Sequence, residues 1–204
     1  MSQAPPLVGG SRAGMLAAAC AAGLLLAIGA ATGVSASAAV LEATHVHGVA
    51  FDVGDGALLL GTHVGLYRLG PRDAKARKVG TGSYDLMGLS AIGPRTYVAS
   101  GHPDAAAAKR LGLPSNLGLI RTDDGGKRWR SVSLLGGADF HVLRARGARV
   151  FAYDVTRGRL LASADGGRTW KGRALPRGTV DLAVGVGVVA VSTSGGVSVS
   201  SDEG

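Results

Sequence analysis

The chain has 204 residues, of which 46% are hydrophobic and 34 are glycine, and its formal net charge at pH 7 is +8. Its basic residues form no dense run and only 4% of its residues are aromatic. Because stacking platforms for bases are therefore scarce, we expect no nucleic-acid partner. A single cysteine excludes an internal disulfide framework, so the fold must be stabilised by the packing of its apolar residues.

The first 43 residues differ in composition from the rest of the chain. Arg12 precedes an uncharged run at 13–39 that is rich in Ala, Leu and Gly, and a small-residue Ala-Ser-Ala sequence follows at 36–38. This layout predicts a secretory signal peptide. The segment 14–33 is also long enough to span a bilayer as an uncleaved anchor. Both alternatives predict a secreted or extracytoplasmic protein, with membrane contact only through this segment.

The remainder, residues 44–204, contains four units with the same pattern of strands. The opening runs of the units lie at 44–49, 84–89, 138–143 and 180–184. Second and third runs follow at 57–61 and 65–69, 96–100 and 117–121, 150–153 and 159–163, and 188–192 and 197–200. Four strands in about 40 residues are typical of a β-propeller blade. We therefore predict an all-β protein, a β-propeller of four-stranded blades at about 44–83, 84–137, 138–179 and 180–204.

Two of the predicted blades depart from the regular length. The second is longer because residues 103–116 are inserted after its second run, and an Ala-rich run at 104–110 favours a short helix there. A long loop on a rigid scaffold often serves binding. The fourth blade ends before its last strand, so we expect the full protein to continue into further blades.

A short phrase, hydroxyl-x-Asp-x-Gly-x-x-Trp, recurs after the third run of a unit. Two complete copies occupy residues 122–129 and 163–170, and a third at 200–204 stops before its tryptophan. Its Asp and Gly residues predict a tight hairpin turn, and the Trp can bury a large ring between sheets. The residues that define the phrase are Thr122, Asp124, Gly126, Trp129, Ser163, Asp165, Gly167, Trp170, Ser200, Asp202 and Gly204.

This phrase resembles the Asp-box, or BNR repeat, of sialidases, sortilin-type receptor ectodomains and photosystem-assembly propellers. The sequences His-Val-His-Gly at 45–48, Ser-Gly-His-Pro at 100–103 and Asp-Phe-His at 139–141 also resemble a group of exported bacterial Asp-box proteins described as sialidase-like or glycosyl-hydrolase-like. The resemblance covers residues 44–204. It implies a β-propeller in which the box is a structural turn, away from any active site.

All five histidines fall near one face of the predicted propeller, close to its central channel. The opening strands line the channel, and their starts share a face with the ends of the second strands. The second positions of the aligned opening runs are His45, Asp85, Asp139 and Asp181, and two residues later the runs carry His47, Met87, His141 and Ala183. His63 and His102 each close a second strand, so we predict that both belong to this ligand-binding face.

The mixture of imidazole and thioether donors predicts a transition-metal site, with copper as the first candidate. We expect His47, Met87 and His141 to be its ligands, with His45 beside them. The aligned aspartates would lie around these residues as outer partners or alternative ligands. The structural alternative is that these Asp and His residues hydrogen-bond between blades or pack as polar core residues.

The resemblance to sialidases implies an exo-glycosidase, which needs a Tyr nucleophile paired with a Glu. The only glutamates are Glu42 and Glu203, one before the first blade and one inside a turn. The remaining candidates for catalytic carboxylates are Asp85, Asp139 and Asp181. We therefore expect a protein that binds a metal ion, a small ligand, or an envelope protein or glycan. A sialidase-like glycoside hydrolase and a protein-docking assembly factor are the alternatives.

Overall fold

A computed structural model describes residues 45–201. The predicted signal peptide or anchor at 1–43 lies outside the described residues, as do Asp202 and Gly204 of the third repeated phrase. Within the described part, the chain forms fifteen β-strands and one short α-helix. No helix in 45–201 has the length and apolar character needed to cross a membrane.

The strands form four antiparallel sheets, each from consecutive strands of the chain. Blade 1 contains β1 (Val46–Phe51), β2 (Leu58–Thr62), β3 (Gly65–Leu69) and β4 (Arg77–Val79). Blade 2 contains β5 (Tyr84–Gly93), β6 (Thr96–Pro103), β7 (Leu119–Thr122) and β8 (Arg130–Ser133). Blade 3 contains β9 (Phe140–Arg146), β10 (Arg149–Asp154), β11 (Arg159–Ser163) and β12 (Lys171–Arg173). Blade 4 contains β13 (Thr179–Val184), β14 (Val189–Thr193) and β15 (Gly196–Ser200).

These sheets are arranged as the blades of a β-propeller, which confirms the predicted fold class. The first strands β1, β5, β9 and β13 contact one another in succession, as expected of strands that line the propeller axis. Three apolar clusters fill the space between consecutive blades, one at each boundary. Because every blade buries side chains against its neighbour rather than within itself, the core is divided among the blade boundaries.

The helix α1 (Ala105–Leu111) lies in the insertion after β6, where the Ala-rich run favours it. The side chain of Asp104 caps its first turn by accepting the N–H of Ala107 at 2.8 Å. Gly112 ends it in the left-handed conformation, at φ 63°. The insertion is held at both ends, since Asp104 N–H donates to Ser83 O and Leu117 N–H donates to Gly101 O.

The repeated phrases form two turns with the same hydrogen bonds. In the first, Thr122 Oγ1 accepts the N–H of Gly126 at 2.9 Å and donates to Asp124 Oδ1 at 2.8 Å. The corresponding bonds of the second turn, at 2.8 and 2.7 Å, join Ser163 to Gly167 and Asp165. Each turn also places its tryptophan against the apolar cluster between its own blade and the preceding one.

Every first strand carries a β-bulge near its start, and these bulges correct one part of the sequence alignment. The pairing partners show one extra residue at His47, Met87, His141 and Val180. Val180, and not Ala183, is therefore the equivalent of His47. Asp181 stands three residues later in its strand than the alignment with Asp85 and Asp139 predicts. The alignment failed there because it assumed that Asp181, like Asp85 and Asp139, lies two residues before the bulge, whereas the bulge of β13 is at Val180 and a sequence does not mark the position of a bulge.

Candidate functional site

The structure gathers the five histidines at one edge of the first three blades. In each sheet the start of the first strand pairs with the end of the second strand. This antiparallel pairing brings His45 and His47 next to His63, although 16 residues separate His47 from His63. The same pairing sets Asp85 opposite His102 in blade 2. The described His and Asp donors then form two groups, which we call the first and the second cluster.

The first cluster consists of His45, His47 and His63 from blade 1 and Asp85 from blade 2. His47 Nε2 lies 3.2 Å from His63 Nδ1 and 3.3 Å from Asp85 Oδ1. His63 Nδ1 lies 2.9 Å from Asp85 Oδ2. The ring of His45 stacks on that of His47 with 4.8 Å between the centroids. One donor atom from each of the three histidines lies within 4.8 Å of the others.

The electrostatic setting of His47 favours its neutral imidazole. Burial lowers the pKa of His47; the carboxylate of Asp85 opposes this shift, but the neighbouring charges of His63, His45 and His141 reinforce it. A neutral imidazole has a free lone pair, which is the form that ligates a metal. Asp85 Oδ1 is buried and, among the described residues, lacks a partner with hydrogen-bond geometry, although His47 lies 3.3 Å away.

The second cluster consists of His102 from blade 2 and of Asp139 and His141 from blade 3. Asp139 Oδ2 lies 3.1 Å from His141 Nε2 and 3.7 Å from His102 Nε2. On its other side, His102 Nδ1 lies 2.9 Å from the carbonyl oxygen of Ser115 in the insertion. These three residues again offer donor atoms within 4.8 Å of one another.

The two clusters repeat one arrangement at successive blade boundaries. His63 and His102 each follow the residue that pairs with the strand residue just before the bulge, and each contacts an aspartate at the start of the next blade. The sequence carries the signal for this repeat in the aligned Asp85 and Asp139. The sequence did not reveal the two clusters, because their contacts join the second strand of one blade to the following blade and not to a strand of the same blade.

The predicted site residues are therefore distributed differently from the single site expected. His47 belongs to the first cluster and His141 to the second. Met87 lies on the bulge of blade 2 and is half-buried. Asp181 belongs to neither cluster, and its carboxylate oxygens bind Arg144 at 2.8 and 3.0 Å. As catalytic residues, Asp85, Asp139 and Asp181 remain predictions.

Comparisons with known proteins agree with this fold. The sequence matches no protein-family model and no curated protein. Its structure is similar to an ancestral GH74 enzyme, with a TM-score of 0.56 and 13% identity over 79% of this chain and 23% of that one. It is also similar to the GH74 enzyme of Niastella koreensis, with a TM-score of 0.53 and 17% identity over 81% of this chain and 24% of that one.

A third similar structure is YCF48 bound to D1 peptide, with a TM-score of 0.49 and 17% identity over 76% of this chain and 50% of that one. The chain spans about a quarter of the length of the GH74 enzymes it matches. Identities this low establish the fold alone. The chain is thus a β-propeller protein, and its function must be argued from its own residues.

Proposed function

We propose that this chain is an exported β-propeller that binds a transition-metal ion at the first cluster. The observation that carries the proposal is the spacing of its donor atoms. His47 Nε2, His63 Nδ1 and the oxygens of Asp85 are separated by 2.9 to 3.3 Å. Ligands bound about 2.0–2.1 Å from a tetrahedral metal ion lie about 3.3 Å from one another. The side chains thus already stand at nearly the separations that a bound ion requires.

The chemistry of the donors narrows the class of ion. Magnesium and calcium prefer sites built from oxygen ligands, whereas imidazole suits zinc, copper, nickel and iron. The first cluster combines up to three imidazoles with one carboxylate, so we infer a first-row transition ion. Copper, which the sequence favoured because of Met87, belongs to this class of ions, and the first cluster could bind it without the thioether of Met87.

Metal analysis of matched variants tests this proposal. The full chain, purified without a polyhistidine tag, is dialysed against Zn²⁺ or Cu²⁺ and its bound metal is measured by elemental analysis. We expect the double variant His47→Ala/His63→Ala to lose one equivalent of metal relative to the wild type. Asp181→Asn, which changes a carboxylate that belongs to neither cluster, is the matched control and retains the wild-type metal content. Equal metal content in the wild type and the double variant would refute the proposal.

We also propose that the two turns are Asp-boxes and that the N-terminal segment directs export. Both turns share the hydroxyl–Asp–Gly hydrogen bonding described above. The uncharged run at 13–39, preceded by Arg12, supports export. Mass spectrometry of the protein recovered from its producing cells tests the second point. A mature N-terminus after residue 38 would identify a cleaved signal peptide, and an intact segment in the membrane fraction would identify an anchor.

Two other functions give different results with the same protein. A glycoside hydrolase is one alternative, because Asp85 and Asp139 present carboxylates beside imidazoles and the fold is shared with GH74 enzymes. Such an enzyme would release reducing sugar from a glycan panel. That release should disappear in Asp139→Asn. A protein-docking assembly factor would show neither turnover nor stoichiometric metal, and would instead co-purify with one envelope protein in a fixed ratio.

A further inference from the structure

We propose that the second cluster is a separate divalent-metal site, formed by His102, Asp139 and His141 at the boundary of blades 2 and 3. Its donors are two imidazoles and one carboxylate, a set that suits Fe²⁺, Co²⁺ or Zn²⁺ and leaves coordination positions open for water or a small anion. The site is independent of the proposed function, because none of its three residues belongs to the first cluster.

The separations in this cluster suit a shared ion. Asp139 Oδ2 is 3.1 Å from His141 Nε2 and 3.7 Å from His102 Nε2. These distances lie on either side of the roughly 3.3 Å expected between ligands of a tetrahedral ion. The donor atoms of His102 and His141 lie within 4.8 Å of each other, so a rotation of the His102 ring toward Asp139 would be needed to bring all three atoms to bonding distance of one ion.

The insertion in blade 2 orients His102. Its Nδ1 lies 2.9 Å from the carbonyl oxygen of Ser115, and because a carbonyl only accepts, Nδ1 must carry the proton. In the neutral ring with this tautomer, the free lone pair is on Nε2, which faces Asp139. A ligating histidine usually has such a carbonyl or carboxylate partner on its other nitrogen. The insertion itself is fixed at both ends by backbone hydrogen bonds to Ser83 and Gly101, so Ser115 is held in place.

Asp139 provides the second, independent observation. The residue is 8% exposed, and its Oδ1 is buried with no hydrogen-bond partner among the described residues. Within residues 45–201, the only ion-pair partners of its carboxylate are the imidazoles of His102 and His141. A buried carboxylate without a permanent cation is costly. A divalent ion at this position would supply a permanent positive charge beside the carboxylate.

The two clusters differ in the number of their imidazoles and in their exposure. The first has three imidazoles and is more exposed, since His45 and His63 are both on the surface. The second has its carboxylate buried and the insertion bonded to one of its histidines. With three protein ligands it has the composition of a site that leaves a position free for an exogenous ligand. Azide is a suitable probe of that open position.

Titration of the metal-free full chain with Co²⁺ tests the inference, because the visible spectrum reports both stoichiometry and coordination. The wild type should bind two equivalents, and the variants His47→Ala/His63→Ala and His102→Ala one each. In His47→Ala/His63→Ala, azide should change the spectrum of the remaining ion. Adding His102→Ala to that variant should weaken the remaining binding by more than about 100-fold, beyond the effect of losing an outer-shell partner. Circular dichroism and urea unfolding confirm that each variant is folded.

The outcomes separate this inference from the proposed function. If the wild type binds one equivalent that is lost in His47→Ala/His63→Ala and retained in His102→Ala, the second site is refuted and the first stands. If the single equivalent is lost only in His102→Ala, the second site stands and the first is refuted. Binding of no Co²⁺ refutes both. A lower unfolding free energy in His102→Ala with unchanged Co²⁺ binding would show that the second cluster is only a structural network.

Discussion

The hydrogen bond between Tyr97 and Asp52 should be one of the strongest single contacts between blades 1 and 2. Tyr97 is completely buried and Asp52 is 1% exposed. The hydroxyl of Tyr97 donates to Asp52 Oδ2 at 2.6 Å, while Asp52 Oδ1 accepts the N–H groups of Gly54 and Arg95. Burial alone would raise the pKa of Asp52, but these donors outweigh it and the pKa is lowered. The carboxylate is therefore ionised at neutral pH.

Tyr97→Phe removes the hydroxyl and leaves Asp52 Oδ2 buried without its donor. Hydrogen bonds to charged groups contribute about 1.5–3 kcal/mol, and an orphaned buried acceptor costs a similar amount. We expect the free energy of unfolding to fall by about 2 kcal/mol. For a domain of this size, that corresponds to a decrease of about 4–8 °C in Tm. Urea unfolding followed by circular dichroism measures the free energy, and a thermal scan measures Tm.

The control for this experiment is Tyr153→Phe. Tyr153 is half-buried on β10, and its hydroxyl has no hydrogen bond among the described residues. Its substitution should change the free energy of unfolding by less than about 0.5 kcal/mol. If Tyr97→Phe is as mild as the control, the bond between Tyr97 and Asp52 contributes nothing net, and the boundary of blades 1 and 2 is held by apolar packing alone.

Two further predictions concern the second turn. Gly167 has a φ of +84°, and a Cβ there would overlap Leu119 Cδ2 of blade 2. Gly167→Ala should therefore lower the free energy of unfolding, measured in urea, by about 1–3 kcal/mol. The control Gly172→Ala, which has open space around it, should have little effect. Hydrogen bonds from Thr169 and Ser163 hold the pKa of Asp165 far below its ordinary value of 3.8. The stability that the ionised Asp165 contributes to the fold is therefore complete at pH values above this ordinary pKa and is lost as the pH falls below it. Asp165→Asn should flatten the decline in urea midpoint between pH 5 and pH 2, and an unchanged decline would contradict this assignment.

Much of the fold followed from local sequence patterns. Short apolar runs bounded by Gly, Asp and Pro predicted the strands, and the repeated phrase predicted the turns at 122–129 and 163–170. These features are determined locally, because a turn needs its own hydroxyl, Asp and Gly and a strand needs its own alternation. The period of about 40 residues then indicated blades, and the shared face of the histidines followed from that topology.

The grouping of those histidines was decided only by the tertiary structure. Asp85 and Asp139 each lie two residues before the bulge of their strand, whereas Asp181 lies directly after the bulge of β13 and binds Arg144; nothing in the sequence marks where a bulge falls. The contact of His63 with Asp85 and the contact of His102 with Asp139 each cross from one blade to the next. Such contacts depend on the distance and angle between adjacent sheets. That geometry is set by the packing of the boundary clusters, which is a property of the whole arrangement and not of any one segment.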